Sequence, residues 1–218
     1  MPRAVAAASP ARRPSSRKRA GREPTFTEQA RRGQILEVSA RLFRAKGFAN
    51  TSLDEIAKEV GVSRGVLFYY FDGKREIGEN TVRENLRRYS DYVRERVERK
   101  RTHKTQLLEF IDACLDYQNE HPEVYVEFIE LLGCLGDAGE KYRLTQSVNR
   151  RTRGWLVEII KAGQDQGEIA RVPVQPLADV IQGFIDGMME MTAMEPGVVD
   201  VGECKKLVRR MLASVIES

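Results

Sequence analysis

Histidine is almost missing from this chain: 218 residues hold two, His103 and His121. A nucleophile–histidine pair or a histidine-built metal site therefore has little to draw on, and no metal is expected. The three cysteines, Cys114, Cys134 and Cys204, lie far apart and form no C-x-x-C pair. That spacing argues against a disulfide framework and against zinc, so each reads as a small apolar filler. No G-x-S-x-G, P-loop or G-x-G-x-x-G occurs, so no cofactor is expected and an enzyme is not expected. Long apolar runs are absent too, none approaching the ~20 residues of a membrane-spanning helix. The short N-terminal "AVAAA" is followed by arginines in place of a cleavage site. The expectation is a cytoplasmic protein without a membrane partner.

Charge is plentiful and unevenly placed. The net charge is +4, yet residues 1–22 hold seven basic side chains and no acidic one, while residues 76–218 are net negative. A positive first third suits a polyanionic partner. Alternatively the leader, rich in Pro, Ala, Ser and Arg, is only a soluble disordered tail over residues 1–26. If it does reach DNA, it follows phosphates or enters a minor groove, adding affinity with little specificity.

Beyond the tail the patterning is helical. Ile35, Leu36, Ser39, Leu42 and Phe43 share one face of a helix that Gly47 ends. Ser52 and Glu55 form a capping box, and Leu53, Ile56, Ala57 and Val60 make the buried stripe of a two-turn helix stopped by Gly61. Val62 opens a tight turn, Ser63 caps a third helix, and Asp72-Gly73 closes it. The third helix concentrates aromatics, Phe68-Tyr69-Tyr70-Phe71, in a chain that is 7% aromatic. Leu67 and Phe71, four apart, face inward, which leaves Arg64, Gly65, Tyr69 and part of Tyr70 facing out. A supporting helix followed by two short ones around a glycine-led turn is a helix-turn-helix, whose second element enters the DNA major groove.

Residues 34–77, "QILEVSARLFRAKGFANTSLDEIAKEVGVSRGVLFYYFDGKREI", resemble the DNA-binding domain of the TetR (tetracycline repressor) family of bacterial transcription regulators. The resemblance implies an all-α homodimeric repressor: a three-helix helix-turn-helix head over residues 27–73 and a helical bundle over 74–218 for effector binding and dimerisation. It implies a double-stranded DNA operator and a small-molecule effector, here unidentified, as partners. Carried over by position, Thr51 or Ser52 meets a phosphate, as do Ser63, Tyr69, Tyr70 and Lys74, while Arg64 and Gly65 sit nearest the bases. Arg64 reads guanine or holds a phosphate. Many relatives have tyrosine where this chain has Phe68, so a hydroxyl contact is absent there or the ring is turned into the core.

The remaining chain predicts helices over about 74–100, 104–120, 122–133, 138–166, 176–194 and 201–217. The last two are apolar over more than one face, which asks for a partner; a symmetric four-helix dimer interface supplies it. Gly183 and Gly187 permit close helix approach there or are simply tolerated. Phe110, Cys114, Tyr117, Tyr125, Phe128, Trp155, Phe184 and Met188 line an effector cavity or are plain core. Glu127 and Glu130 meet a cationic ligand or form a solvated acidic face. The alternative to an effector-released repressor is an effector-independent DNA-binding factor of the same fold acting in chromosome organisation.

Overall fold

The computed structural model describes residues 25–134 and 137–217. The expected basic tail lies outside the described residues, save its last two positions. Thr25 already caps the first helix, its hydroxyl accepting from the Glu28 amide while Glu28 answers to the Thr25 amide.

Among the described residues all regular structure is helical. The elements are α1 (Phe26–Lys46), α2 (Leu53–Val60), α3 (Arg64–Tyr70), α4 (Lys74–Glu98), α5 (His103–Glu120), α6 (Pro122–Cys134), α7 (Ala138–Asp165), α8 (Val174–Met194) and α9 (Val201–Ile216). Their ends fall where the local chemistry put them. The Ser52–Glu55 capping box forms, Ser63 caps α3, and Pro122 opens α6 at the position where its missing N–H costs nothing. No helix among the described residues is long and apolar enough to cross a membrane.

Two apolar cores result. The first joins Ile35, Val38 and Phe43 of α1 to Phe48, to Ile56, Ala57 and Val60 of α2, and to Leu67 and Phe71. It also takes Ile77 and Val82 from α4 and Leu131 from α6, so the head's core reaches past residue 73. The second core is the body's, built on α5, whose Leu107, Phe110, Ile111, Cys114 and Leu115 are buried between α4, α7, α8 and α9. On the outer side of α5 an acidic stripe, Glu109, Asp112 and Asp116, is clamped by cations from both neighbours. Arg96 of α4 reaches Glu109 at 2.6 Å and Asp116 at 2.7 Å, Lys205 of α9 reaches Asp116 at 2.6 Å, and Arg209 pairs with Asp112. Helix α4 is thereby fixed to the body at one end and to the head at the other.

The cysteines divide. Cys114 is buried and, as expected, fills the core; Cys204 is half-buried; Cys134, read from sequence as a filler, is exposed at the end of α6. Burial pushes the Cys114 thiol up to about 12, the Tyr89 hydroxyl beside it offsetting only part of that. Iodoacetamide at pH 8 is therefore expected to label Cys134 in the native protein and to reach Cys114 only after denaturation, since the thiolate is the nucleophile. Peptide mapping checks this, and equal rates at both sites would mean that the body core opens readily.

Candidate nucleic-acid interface

The reading head depends on the turn between α2 and α3. Gly61 adopts φ +76°, the left-handed region, and its N–H donates to the Ala57 and Lys58 carbonyls. A side chain there would be strained, so glycine is what allows the chain to leave α2 abruptly. Val62 donates to the Ala57 carbonyl at 2.9 Å, and the Ser63 hydroxyl then accepts from the Val66 amide at 3.4 Å to begin α3.

Helix α3 buries Leu67, and Phe71, the extended residue that ends it, is buried with it against α2; the two are 1% and 2% exposed, facing inward as expected. Arg64, Gly65, Phe68 and Tyr69 are exposed, and Tyr70 is half-buried with its ring edge-on to Tyr69 at 4.9 Å. Phe68, for which the sequence left two readings, is outside the core at 42% exposure. Arg64 Nη1 donates to both Asp54 oxygens, at 3.3 and 3.2 Å, and its guanidinium lies 5.6 Å from the Phe68 ring centre. Tyr69 donates its hydroxyl to Glu28 at 2.8 Å.

Two expected phosphate ligands are differently engaged. Thr51 is buried and its hydroxyl donates to the Gly47 carbonyl at 3.0 Å, closing the loop after α1. With that hydroxyl turned inward, the exposed alternative is Ser52, which caps α2 and donates to Glu55 at 3.1 Å. The hydrogen bond from Lys46, followed by those from Ser52, holds the Glu55 carboxyl down at about 2. Lys74 donates to the Phe48 and Ala49 carbonyls at 2.9 and 3.0 Å, bracing the start of α4 on the α1–α2 loop. An ammonium has three donors, so one is left for a phosphate.

The join between head and body was not legible in the sequence. Glu127 of α6, 8% exposed, accepts from Arg44 at 2.9 Å and from Asn85 at 2.6 Å, linking α6 to α1 and α4. Burial raises its carboxyl above the usual range despite Arg44. Glu130 accepts from the Phe48 amide at 3.1 Å. Glu127 is not on the solvated acidic face expected of it, because it packs between α6 and the head, whereas Glu130 is exposed while it holds the Phe48 amide. Phe128, placed among the effector residues, packs on the head core with Leu131. A glutamate inside the apolar run "VYVEFIELLG" was the available signal.

The other proposed effector residues belong to the body core or its edge and not to a cavity wall. Phe110, Cys114, Tyr117 and Met188 are buried in the body core, and Trp155 and Phe184 pack against it, Trp155 edge-on to Phe110 at 5.5 Å. Tyr125 is half-buried on α6. A groove of about 630 Å³ lies beside them between α7 and α8, lined by Arg153, Val157, Asp179, Gln182, Gly183 and Asp186. Asp186 accepts from Gln182 at 2.7 Å, and burial raises its carboxyl above the usual range. None of the sequence-chosen residues lines that groove.

Residues 35–79 match the family model for "Bacterial regulatory proteins, tetR family", and residues 103–217 match "BetI-type transcriptional repressor, C-terminal". The chain is 26% identical over 191 residues to the HTH-type transcriptional regulator BetI of Vibrio campbellii, covering 84% of this chain and 91% of that one. It is 36% identical over 93 residues to the probable HTH-type transcriptional regulator YttP of Bacillus subtilis, a match spanning 42% of this chain and 45%, under half, of that relative. In fold it is similar to the transcriptional regulator FadR of Bacillus subtilis, solved in complex with stearoyl-CoA. The TM-score is 0.70 at 22% identity, covering 84% of this chain and 98% of that one.

Proposed function

The chain belongs to the tetR family of bacterial regulatory proteins, and on that premise we propose that it is a homodimeric repressor released from a near-palindromic operator by a small molecule. It is a DNA-binding transcription regulator and not an enzyme. The observation that carries the finer reading is the outward face of α3, where Arg64, Gly65 and Tyr69 stand exposed on a helix anchored from behind by Leu67 and Phe71. Exposed apolar side chains on α8 and α9, among them Val180, Met191, Leu207 and Met211, support a second copy as partner. Among the described residues nothing stands within 4 Å of where a side chain on Gly183 or Gly187 would begin, which leaves room for a close helix. Two heads on one two-fold axis then meet successive major grooves, with half-sites ~34 Å or slightly more apart.

Release needs an effector that favours another head separation. The α7–α8 groove is the proposed entry, with Asp186 in its wall, and α6 is the proposed relay. That helix packs on α8 and, through Glu127, Glu130 and Leu131, grips the head. The similar FadR of Bacillus subtilis was solved with stearoyl-CoA, which supports a small-molecule effector for the body of this chain.

The test is selection of binding sites from random duplexes by the purified protein, expected to return an inverted repeat; unrepeated sites would sink the dimeric reading. On the selected site Arg64→Ala is expected to lose roughly 5- to 150-fold in affinity, the ~1–3 kcal/mol of a base contact, with little change on random DNA. Equal loss on both, by fluorescence anisotropy, would reassign Arg64 to a phosphate.

A further inference from the structure

The outward side of α3 is more apolar than phosphate contacts require. Val66 and Phe68 are 36% and 42% exposed, and neither side chain has anything to offer a phosphate. Helix geometry fixes their placement: successive residues rotate by ~100°, so Gly65 and Tyr69 stand mid-face, with Arg64 and Phe68 together on one flank and Val66 on the other. The Arg64 guanidinium is held on that flank from two sides, by the Asp54 carboxylate at 3.2 Å and by the Phe68 ring at 5.6 Å.

A major groove presents one apolar group, the C5-methyl of thymine, and one strong attractor for arginine, the O6/N7 edge of guanine. Bases along a strand are ~3.4 Å apart, so two side chains separated by 5.6 Å reach base pairs no more than two steps apart. We propose that Phe68 is a specificity-determining residue that packs on the C5-methyl of a thymine lying within two base pairs of the guanine read by Arg64, with Asp54 as the residue that positions the guanidinium. The inference rests on the DNA-reading role proposed for α3, and it makes Phe68 an apolar reader of bases in place of a phosphate ligand. Gly65 serves the same contact, since its bare backbone lets the groove floor come within reach of a ring one turn further along.

The experiment uses the full chain and its selected operator. Each thymine is replaced in turn by deoxyuridine, which removes the methyl group and nothing else. The wild-type protein is expected to lose about fourfold in affinity, the worth of one buried methyl, at a single thymine per half-site. That thymine should lie within two base pairs of the guanine whose replacement the Arg64→Ala variant no longer senses. Phe68→Ala should bind the thymine and deoxyuridine operators equally, whereas Phe68→Tyr, keeping the ring, should still discriminate. Since Phe68 is exposed, the melting temperature of Phe68→Ala should match the parent, so a changed discrimination cannot be charged to unfolding. Indifference of the wild type to every deoxyuridine, with sequence selection intact, overturns the inference and leaves the DNA-reading role standing. Discrimination that survives Phe68→Ala also overturns it. Failure to select any sequence would remove both.

Discussion

A Leu207→Glu, Met211→Glu double variant is expected to be a folded monomer whose operator affinity is 100- to 10,000-fold below that of the parent. Helix α9 has two apolar sides. Val208, Leu212 and Ile216 are buried against its own body, while Leu207, Met211 and Val215, also four apart, are 58%, 60% and 40% exposed. Nothing among the described residues covers that second stripe, and the exposed Val180 and Met191 of α8 are apolar as well. In the proposed dimer these positions meet their copies across the two-fold axis, where a pair of desolvated carboxylates costs several kcal/mol per charge. In a monomer the same glutamates stay in water and should leave the melting temperature nearly unchanged. The affinity loss follows because two heads tethered in one molecule bind the second half-site at an effective concentration, an advantage worth 10²–10⁴ that a monomer forfeits. Light scattering with anisotropy on a two-half-site and a one-half-site duplex checks it. A variant that stays dimeric and binds the full operator like the parent would place the dimer elsewhere.

What could be read from the sequence was what short stretches decide. The Ser52–Glu55 box, the Gly61 turn, the Ser63 cap and the inward pair Leu67 and Phe71 each involve residues within a few positions, and the structure has them all. What could not be read was decided across the chain. Glu127 meets Arg44 83 positions away, and Phe48 donates to Glu130 across 82, so no periodicity on α6 announces that these two glutamates hold the head. For the same reason Phe128, expected to line an effector cavity, packs on the head core. Thr51 and Lys74 were assigned by family position, yet each has carbonyls of the α1–α2 region within reach, and a hydroxyl or ammonium close to a carbonyl is taken up by it. The groove beside Asp186 was invisible because shape, unlike helix spacing, has no local signature.

Gly78→Val should be the most damaging substitution at the head–body joint, lowering the melting temperature by roughly 2 to 12 °C, the equivalent of ~1–3 kcal/mol for overpacking in a domain of this size. A glycine in the second turn of α4 weakens the helix by ~1 kcal/mol relative to alanine, so its presence needs a reason. The reason is Phe48 and Leu131: a Cβ on Gly78 would stand 2.6 Å from the edge of the Phe48 ring and 3.1 Å from the Leu131 side chain. Phe48 has little freedom to yield. Its ring packs on Phe43 at 5.0 Å, Lys74 holds its carbonyl at 2.9 Å and covers its face at 4.8 Å, and its amide is tied to Glu130 at 3.1 Å. Alanine should therefore cost less than valine, since improved helix propensity offsets part of its clash, whereas a β-branched side chain adds bulk without that gain. The contact joins α1–α2, α4 and α6 at one point, so relief of the clash has to separate two of them. Operator affinity is then expected to fall by more than the loss of folded protein accounts for, because the surviving heads no longer hold their angle to α4. Thermal melts and anisotropy on the same samples decide between outcomes. Parental melting and affinity in Gly78→Val would show that the joint is loose, and the route from α6 to the head would have to run through Glu127 and Arg44 alone.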